Sequence, residues 1–150
     1  MLIQNMTRQA SNEILERAEL GRLGCAHEGQ PYVTPILFAC SGNHLYSFST
    51  LGQKVEWMRT NPLVCLEVEE ITNREDWATV IVFGRYEELP DTPAFEADRK
   101  RAYDLLQRRP AWWEPGFVRT VLEGKERPLE PVYFRISIDT VNGHRGIPGR

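Results

Sequence analysis

The sequence lacks the features that identify several large classes of protein. No apolar run among its 150 residues approaches the roughly 18 to 20 residues that span a bilayer, and residues 1–10 lack the charged-then-apolar pattern of a signal peptide. The formal net charge is only −3, and neither half of the chain is basic, so nucleic-acid binding has little electrostatic support. We therefore expect a cytoplasmic protein with neither a nucleic acid nor a membrane as its partner.

Cysteine and histidine are scarce, with three residues of each. Cys25, Cys40 and Cys65 are odd in number and widely spaced, which fits neither a disulfide framework nor a zinc site, so we interpret them as reduced thiols in apolar surroundings. No His, Cys and carboxylate cluster has metal-ligand spacing, and neither a nucleophile elbow nor a Cys–His arrangement occurs. The sequence thus predicts no metal site and no covalent hydrolase.

What is present is typical of one globular domain over residues 1–150, with 41% hydrophobic and 26% charged residues. The apolar spacing predicts helices over residues 7–20, capped by Thr7 and ended by Gly21, over 53–60, and from Asp91 to about Arg108. A further short helix is predicted within residues 111–124. Six strands are predicted over residues 22–27, 32–40, 44–49, 63–70, 77–89 and 130–141, with a turn at Asn142 and Gly143 after the last.

Short connections between these strands imply antiparallel pairing, and few helices accompany them. We therefore predict a mainly β protein, a six-stranded antiparallel split β-barrel with peripheral helices. Two strands, 32–40 and 77–89, are apolar on both faces, which exceeds what one small barrel interior can cover. The additional cover is expected to be an identical subunit, and hence a homodimer. Pro35 lies in the first of these strands and, having no N–H to donate, marks an edge, a bulge or a non-strand neighbour.

One stretch carries recognisable chemistry, residues 47–54 (SFSTLGQK). A strand ends in the hydroxyls of Ser49 and Thr50, Gly52 makes a turn, and a helix then begins with Gln53 and Lys54. Unpaired amides at a helix start, the helix dipole and a lysine together favour an anion such as phosphate. The spacing differs from a Walker A loop. An ordinary helix start with a nearby lysine is the alternative interpretation.

Several ordered segments together resemble the pyridoxamine 5′-phosphate oxidase-like family of flavin-binding split barrels, most closely its small branch that includes nitroimidazole-resistance reductases. The segments are 21–24 (GRLG), 31–36 (PYVTPI), 45–50 (LYSFST), 52–54 (GQK), 61–65 (NPLVC), 77–80 (WATV), 84–88 (GRYEE) and 133–136 (YFRI). The resemblance implies a homodimer with two FMN sites at the subunit interface. It implies that the phosphate binds to Ser49, Thr50, Gln53 and Lys54, and that the flavin ring edge lies along Thr34, Pro35, Ile36 and Leu37.

Other residues leave two interpretations open. Trp77 either packs in the core or lines the flavin cavity from a neighbouring strand or subunit. Trp112 and Trp113 either pack on the barrel or reach the cofactor cleft, and His144 with Arg145 either closes over a flavin or belongs to a mobile tail. The tail does not match the arginine-containing signature of true pyridoxamine phosphate oxidases, so that activity is not expected.

The resemblance therefore implies an FMN-dependent oxidoreductase acting on a small-molecule redox substrate, in which the flavin carries the electrons and no side chain need act as an acid or base. A non-catalytic flavin carrier or sensor is one alternative. A deazaflavin- or haem-binding member of the same fold is another.

Overall fold

A computed structural model describes residues 1–149, which form one antiparallel eight-stranded sheet, a separate two-stranded ribbon and three α-helices. Two short 3₁₀ turns lie at Pro93–Phe95 and Pro115–Phe117. The helices are α1 (Arg8–Arg17), α2 (Gln53–Thr60) and α3 (Glu96–Leu106). The strands are β1 (Leu2–Asn5), β2 (Leu20–His27), β3 (Gln30–Leu37), β4 (Ala39–Ser41), β5 (His44–Thr50), β6 (Leu63–Asn73), β7 (Asp76–Glu88), β8 (Arg119–Leu122), β9 (Lys125–Pro128) and β10 (Pro131–Ile147).

The large sheet curls so that its two edges meet. Its strand order is β3-β2-β6-β7-β10-β5-β4, with β1 added beside the C-terminal part of β10. β3 and β4 lie at opposite ends of this order, yet Phe38 alone separates them in the chain. Because consecutive Cα atoms are about 3.8 Å apart, the two ends of the sheet must lie side by side. Beyond the short strand β4, the next strand β5 faces β3 across an open seam, where the Ser47 hydroxyl bonds the Leu37 carbonyl. This seam gives the split-barrel architecture that the sequence predicts.

The eight strands of the large sheet exceed the predicted six for two reasons. Residues 32–40 supply parts of two strands, since the chain leaves β3 at Phe38 and starts β4 on the other edge. The N-terminal residues form β1, which sequence patterning did not reveal. β10 also continues through the predicted turn at Asn142 and Gly143, because both residues pair with β7 and the residues from His144 onward pair with β1 as well. The prediction of a turn at this point was wrong, and His144 and Arg145 lie within β10.

α1 begins as predicted, and Thr7 caps it by accepting a hydrogen bond of 3.1 Å from the Ala10 amide. It ends at Arg17, however, and Gly21 lies within β2 instead of ending the helix. A β-carbon at Gly21 would meet the Leu66 side chain at 3.1 Å, so this glycine allows close packing between β2 and β6. α2 has the predicted bounds, while α3 starts after a 3₁₀ turn and stops at Leu106, two residues short of Arg108.

The predicted helix within residues 111–124 was wrong. This segment contains the 3₁₀ turn Pro115–Phe117 and then enters the ribbon of β8 and β9, whose turn places Glu123 and Gly124 at positive φ. The conformation of Gly124, with φ of +76°, is one that glycine adopts without steric cost. A tight two-residue turn therefore converts this segment into a hairpin.

The core fills the inside of the curled sheet. Val64, Leu66 and Val68 alternate inward along β6, as their spacing predicts, and α1 adds Ile14 and Leu15. A second cluster packs α3 against β5 and β10, with Ala102, Leu106, Tyr46, Tyr133, Leu89 and Ala39. Within the described residues, no helix is long and apolar enough to cross a bilayer.

Candidate functional site

The start of α2 is open to an anion. Gly52 is the residue before the helix, no side chain caps it, and an added β-carbon there would meet no atom within 4 Å. The first amides of a helix have no partner inside the helix, and here no neighbouring side chain replaces one. The geometry thus leaves amide donors facing open space, which suits a phosphate oxygen.

Lys54, the second residue of α2, adds a positive charge near this helix start. Its side chain is half-buried, and this burial lowers the pKa of its ammonium group below the ordinary value. The nearby titratable group is the Cys25 thiol of β2, whose own pKa is raised by burial. Among residues 1–149, no carboxylate pairs with Lys54. A desolvated cation without a protein counter-charge is suited to an anionic ligand.

The other predicted phosphate contacts differ from one another in exposure. Thr50 and Gln53 are exposed and free to turn toward a ligand. Ser49 is 6% exposed, and its hydroxyl donates a 3.0 Å hydrogen bond to the Thr50 carbonyl. The Ser49 hydroxyl must therefore leave this bond before it can donate to a phosphate.

The predicted ring contacts face this segment across the seam. At one end, the Ser47 hydroxyl of β5 donates a 2.7 Å hydrogen bond to the Leu37 carbonyl of β3. At the other end, the Tyr32 ring meets the Trp57 ring of α2, with centroids 5.9 Å apart. Residues 34–37 lie between these two contacts, on the edge strand β3 that pairs only with β2. Pro35 thus sits at a sheet edge, where its missing N–H costs no ladder bond.

Sequence reasoning did not identify the aromatic wall beside Lys54. The His27 ring stacks on Trp57 at 5.4 Å, and Tyr32 meets the same indole edge-on. Trp57 follows Lys54 by three positions, which places both on neighbouring parts of the α2 surface. The spacing of Lys54 and Trp57 was the sequence signal that could have identified this aromatic cluster. The contacts of His27 and Tyr32 with Trp57 could not be predicted, because they depend on how α2 packs against β2 and β3.

Part of the outer face of the sheet is apolar. Val80 and Val82 of β7 point inward and are fully buried, so Ile81 and Phe83 point outward, with 37% and 46% of their surface exposed. Phe83 helps line a groove of about 440 Å³ that also contains Ala26, Val33, Leu63, Val64 and Cys65. An apolar groove of this kind is a candidate interaction face.

Trp77 lies on this outer face at the far end of β7, where its indole covers Gly146 of β10. α2 meets β7 near its opposite end, where Arg59 bonds Glu88 at 2.8 Å. Tyr86 lies at the same end of β7 as Glu88 and is nine positions from Trp77, a distance along the strand of about 30 Å. Within one chain, Trp77 is therefore not brought to the Lys54 segment, and it can approach such a site only in a second copy.

A family model described as pyridoxamine 5′-phosphate oxidase matches residues 7–145. The chain belongs to this family. An uncharacterized protein of Rhizobium meliloti is 38% identical over 149 residues, covering 99% of each chain.

Two solved structures show how far this family likeness extends. A structure described as an FAD-binding protein of Mesorhizobium loti is 40% identical, covers 97% of this chain and 99% of its own, and has a TM-score of 0.80. An FAD binding protein of Mycobacterium smegmatis shares the fold at 18% identity and a TM-score of 0.71, covering 97% of this chain and all of its own. The mainly β antiparallel fold is thus that of the pyridoxamine 5′-phosphate oxidase family.

Trp112 and Trp113 lie together in the segment that follows α3. Trp112 and Trp113 both pack against Phe48 of β5, with ring centroids 5.4 and 5.1 Å from it. Trp112 also meets Tyr103 of α3, whereas Trp113 stays 47% exposed. The predicted helical geometry for the pair was wrong, since both residues lie between α3 and the 3₁₀ turn at Pro115–Phe117.

A pair of carboxyl groups on the outer face shares one arginine. Arg22 of β2 contacts Glu69 at 2.5 Å and Glu67 at 3.7 Å, and both glutamates belong to β6. Glu67 Oε1 and Glu69 Oε2 are buried without a hydrogen-bond donor. Burial, followed by the hydrogen bond and charge of Glu69, raises the pKa of Glu67 to about 7, while the same hydrogen bond lowers the pKa of Glu69. The pair therefore holds one proton in mildly acidic solution.

This pair predicts a pH dependence of stability. Because the folded pKa of Glu67 lies above its unfolded value near 4.5, the folded state binds the extra proton, and the free energy of unfolding falls as pH rises from about 4.5 to 7. Glu69 acts in the opposite sense, but only below pH 4.5. Since the Glu67 side chain is 35% exposed, solvent screening limits the effect to about 1 kcal/mol.

Urea unfolding of the wild type and of Glu67→Gln between pH 4.5 and 7.5 measures this effect. The variant is expected to show a flatter dependence across that range. Glu13→Gln on the exposed face of α1 is the control and should keep the wild-type slope. Parallel curves for Glu67→Gln and the wild type would contradict the shared proton.

Proposed function

We propose that the protein is a flavin-dependent oxidoreductase that anchors the 5′-phosphate of its flavin at the start of α2. The observation that carries this proposal is the half-buried Lys54, which has no carboxylate partner among residues 1–149 and follows a helix start that no side chain there caps. The description of the Mesorhizobium loti structure, 40% identical, as an FAD-binding protein supports a flavin. FMN is the smallest cofactor that has the required phosphate, and it is the unit that FAD contains.

The residues of the chain have separate roles in this proposal. Lys54 neutralises phosphate charge, and the amides of the first turn of α2, with Thr50 and Gln53 beside them, donate hydrogen bonds. Thr34, Pro35, Ile36 and Leu37 border the ring along the free edge of β3, where backbone groups facing the seam are available to its polar edge. When bound, the flavin supplies hydride or electron transfer, so the chain needs to bind, orient and shield it.

The substrate class that fits is a small redox-active molecule. The groove on the outer face is apolar around Val33, Leu63 and Phe83, which favours a flat organic compound over a highly charged one. We also propose that the same face forms a homodimer, because Ile81, Phe83 and Val33 remain exposed in a single chain. A second copy is what would bring Trp77 near the flavin.

The absorption spectrum of the freshly purified protein is the first test. Bands near the flavin maxima, followed by mass spectrometry of the compound released on denaturation, are the expected result. Steady oxidation of NADH or NADPH with an added acceptor then distinguishes an oxidoreductase from a flavin carrier, which should show no turnover. A colourless protein that binds neither FMN nor FAD would contradict the proposal.

A further inference from the structure

A second cavity, of about 520 Å³, opens next to the segment that leads into α2. One wall is formed by Thr50 and Leu51, just before the helix, and the other by the ribbon of β8 and β9. Thr50 therefore belongs both to the proposed phosphate anchor and to this cavity. The size lies within the range of pockets that bind small ligands, roughly 300 to 1,000 Å³.

The ribbon that forms the far wall is attached to the body of the protein. The Leu129 amide, directly after β9, donates a 3.1 Å hydrogen bond to the Val118 carbonyl, directly before β8. Leu129 itself is 8% exposed, and β10 begins two residues later beside Thr50. The hydrogen bond closes the base of the ribbon, and the buried Leu129 joins this base to β10, so the two walls of the cavity are connected.

The lining combines an apolar surface with one free positive charge. Leu51, Leu122 and Pro128 supply the apolar part. Arg127 supplies the charge, and within residues 1–149 it has no carboxylate partner, whereas Arg119 on the same ribbon pairs with Glu126 at 3.4 Å. The Glu130 carboxylate also lines the cavity and can accept hydrogen bonds from hydroxyl or amino groups.

We propose that this cavity binds the adenylate half of FAD, so that the resident cofactor is FAD instead of FMN. The inference rests on the proposed phosphate anchor at α2. From that anchor, FAD continues through a second phosphate to a ribose and an adenine. In this proposal Arg127 binds the second phosphate, and Leu51 and Leu122 pack against the flat adenine base. Glu130 accepts hydrogen bonds from donors on the ribose or adenine. FMN would leave all of these groups without a ligand.

The test compares FMN and FAD binding to the full-length apoprotein by quenching of flavin fluorescence. The wild type is expected to bind FAD at least about tenfold more tightly than FMN. Arg127→Ala should weaken FAD binding by about tenfold or more, because it removes a charge-assisted contact, and should leave FMN binding within about twofold. Arg119→Ala, on the same ribbon but outside the cavity lining, should alter neither affinity.

A second variant tests the same cavity independently, in case Arg127→Ala disturbs the folding of the ribbon. Leu122 is 60% exposed, so Leu122→Asp is compatible with folding, and its charge should repel the phosphates and weaken FAD binding only. Equal affinities of the wild type for FMN and FAD, or unchanged FAD binding in both variants, would overturn the inference while leaving the flavin proposal intact. Failure to bind either flavin would instead overturn the proposed function.

Discussion

Lys54→Ala is expected to weaken FMN and FAD binding by about ten- to a hundredfold. The half-buried ammonium group has no carboxylate partner within the described residues, so its charge is available to the phosphate. Removing a charge-assisted hydrogen bond of this type costs about 1.5 to 3 kcal/mol. Flavin fluorescence titration of the apoprotein measures the change directly.

Riboflavin makes this experiment specific to the phosphate, since it carries the same ring without that group. Its affinity should be the same in the wild type and in Lys54→Ala, to within about twofold. Lys100→Ala is the matched control, because Lys100 is an exposed lysine of α3 that pairs with Asp104 at 3.3 Å. Equal losses for riboflavin and FMN would show that Lys54 supports the fold of the site and does not bind the phosphate.

Phe83→Glu is expected to convert a homodimer into single chains. The phenyl ring stands on the apolar outer face, beside the groove formed with Val33 and Leu63. A carboxylate placed there would be desolvated in a dimer without a counter-charge, which costs several kcal/mol and raises the dissociation constant by more than about a hundredfold. Light scattering should give twice 17.3 kDa for the wild type and 17.3 kDa for the variant.

Phe117→Glu is the control for this change, because Phe117 is 87% exposed in a 3₁₀ turn away from the large sheet. It should keep the dimeric mass. If the flavin site includes the partner subunit, Phe83→Glu should also reduce flavin affinity, whereas Phe117→Glu should leave it unchanged. A wild-type protein with the mass of one chain would contradict the dimer proposal.

The local pattern of the sequence predicted much of the secondary structure correctly. Thr7 caps α1 as expected, α2 has the predicted bounds, and the alternation of residues 63–70 places Val64, Leu66 and Val68 in the core. These features depend on neighbours a few residues apart, such as a cap and its amide or the period of a strand. The contiguous stretch from Ser49 to Lys54 could be proposed as a phosphate site for the same reason, and that assignment stays a prediction.

Errors arose where distant segments determine local structure. The glycine at position 21 was interpreted as a helix stop, but it lies within β2, where a β-carbon would press on the Leu66 side chain of β6 at 3.1 Å. Residues 142–147 contain turn-forming residues, yet pairing with β7 at 142–146 and with β1 at 144–147 keeps them extended. The shared proton of Glu67 and Glu69 could not be inferred either, because the raised pKa of Glu67 depends on its burial and on the nearby Glu69, against the opposing charge of Arg22.

The sequence by itself determined the mainly β class, the positions of α1 and α2, and one short segment suited to phosphate. The tertiary structure decided that Phe38 closes the sheet into a seam, that Trp77 lies far from Lys54 in one chain, and that the β8–β9 ribbon forms a second cavity beside Thr50. The physical reason is that propensity and periodicity act over one or two turns of chain, whereas strand partners and cavity walls are chosen by burial across the whole molecule.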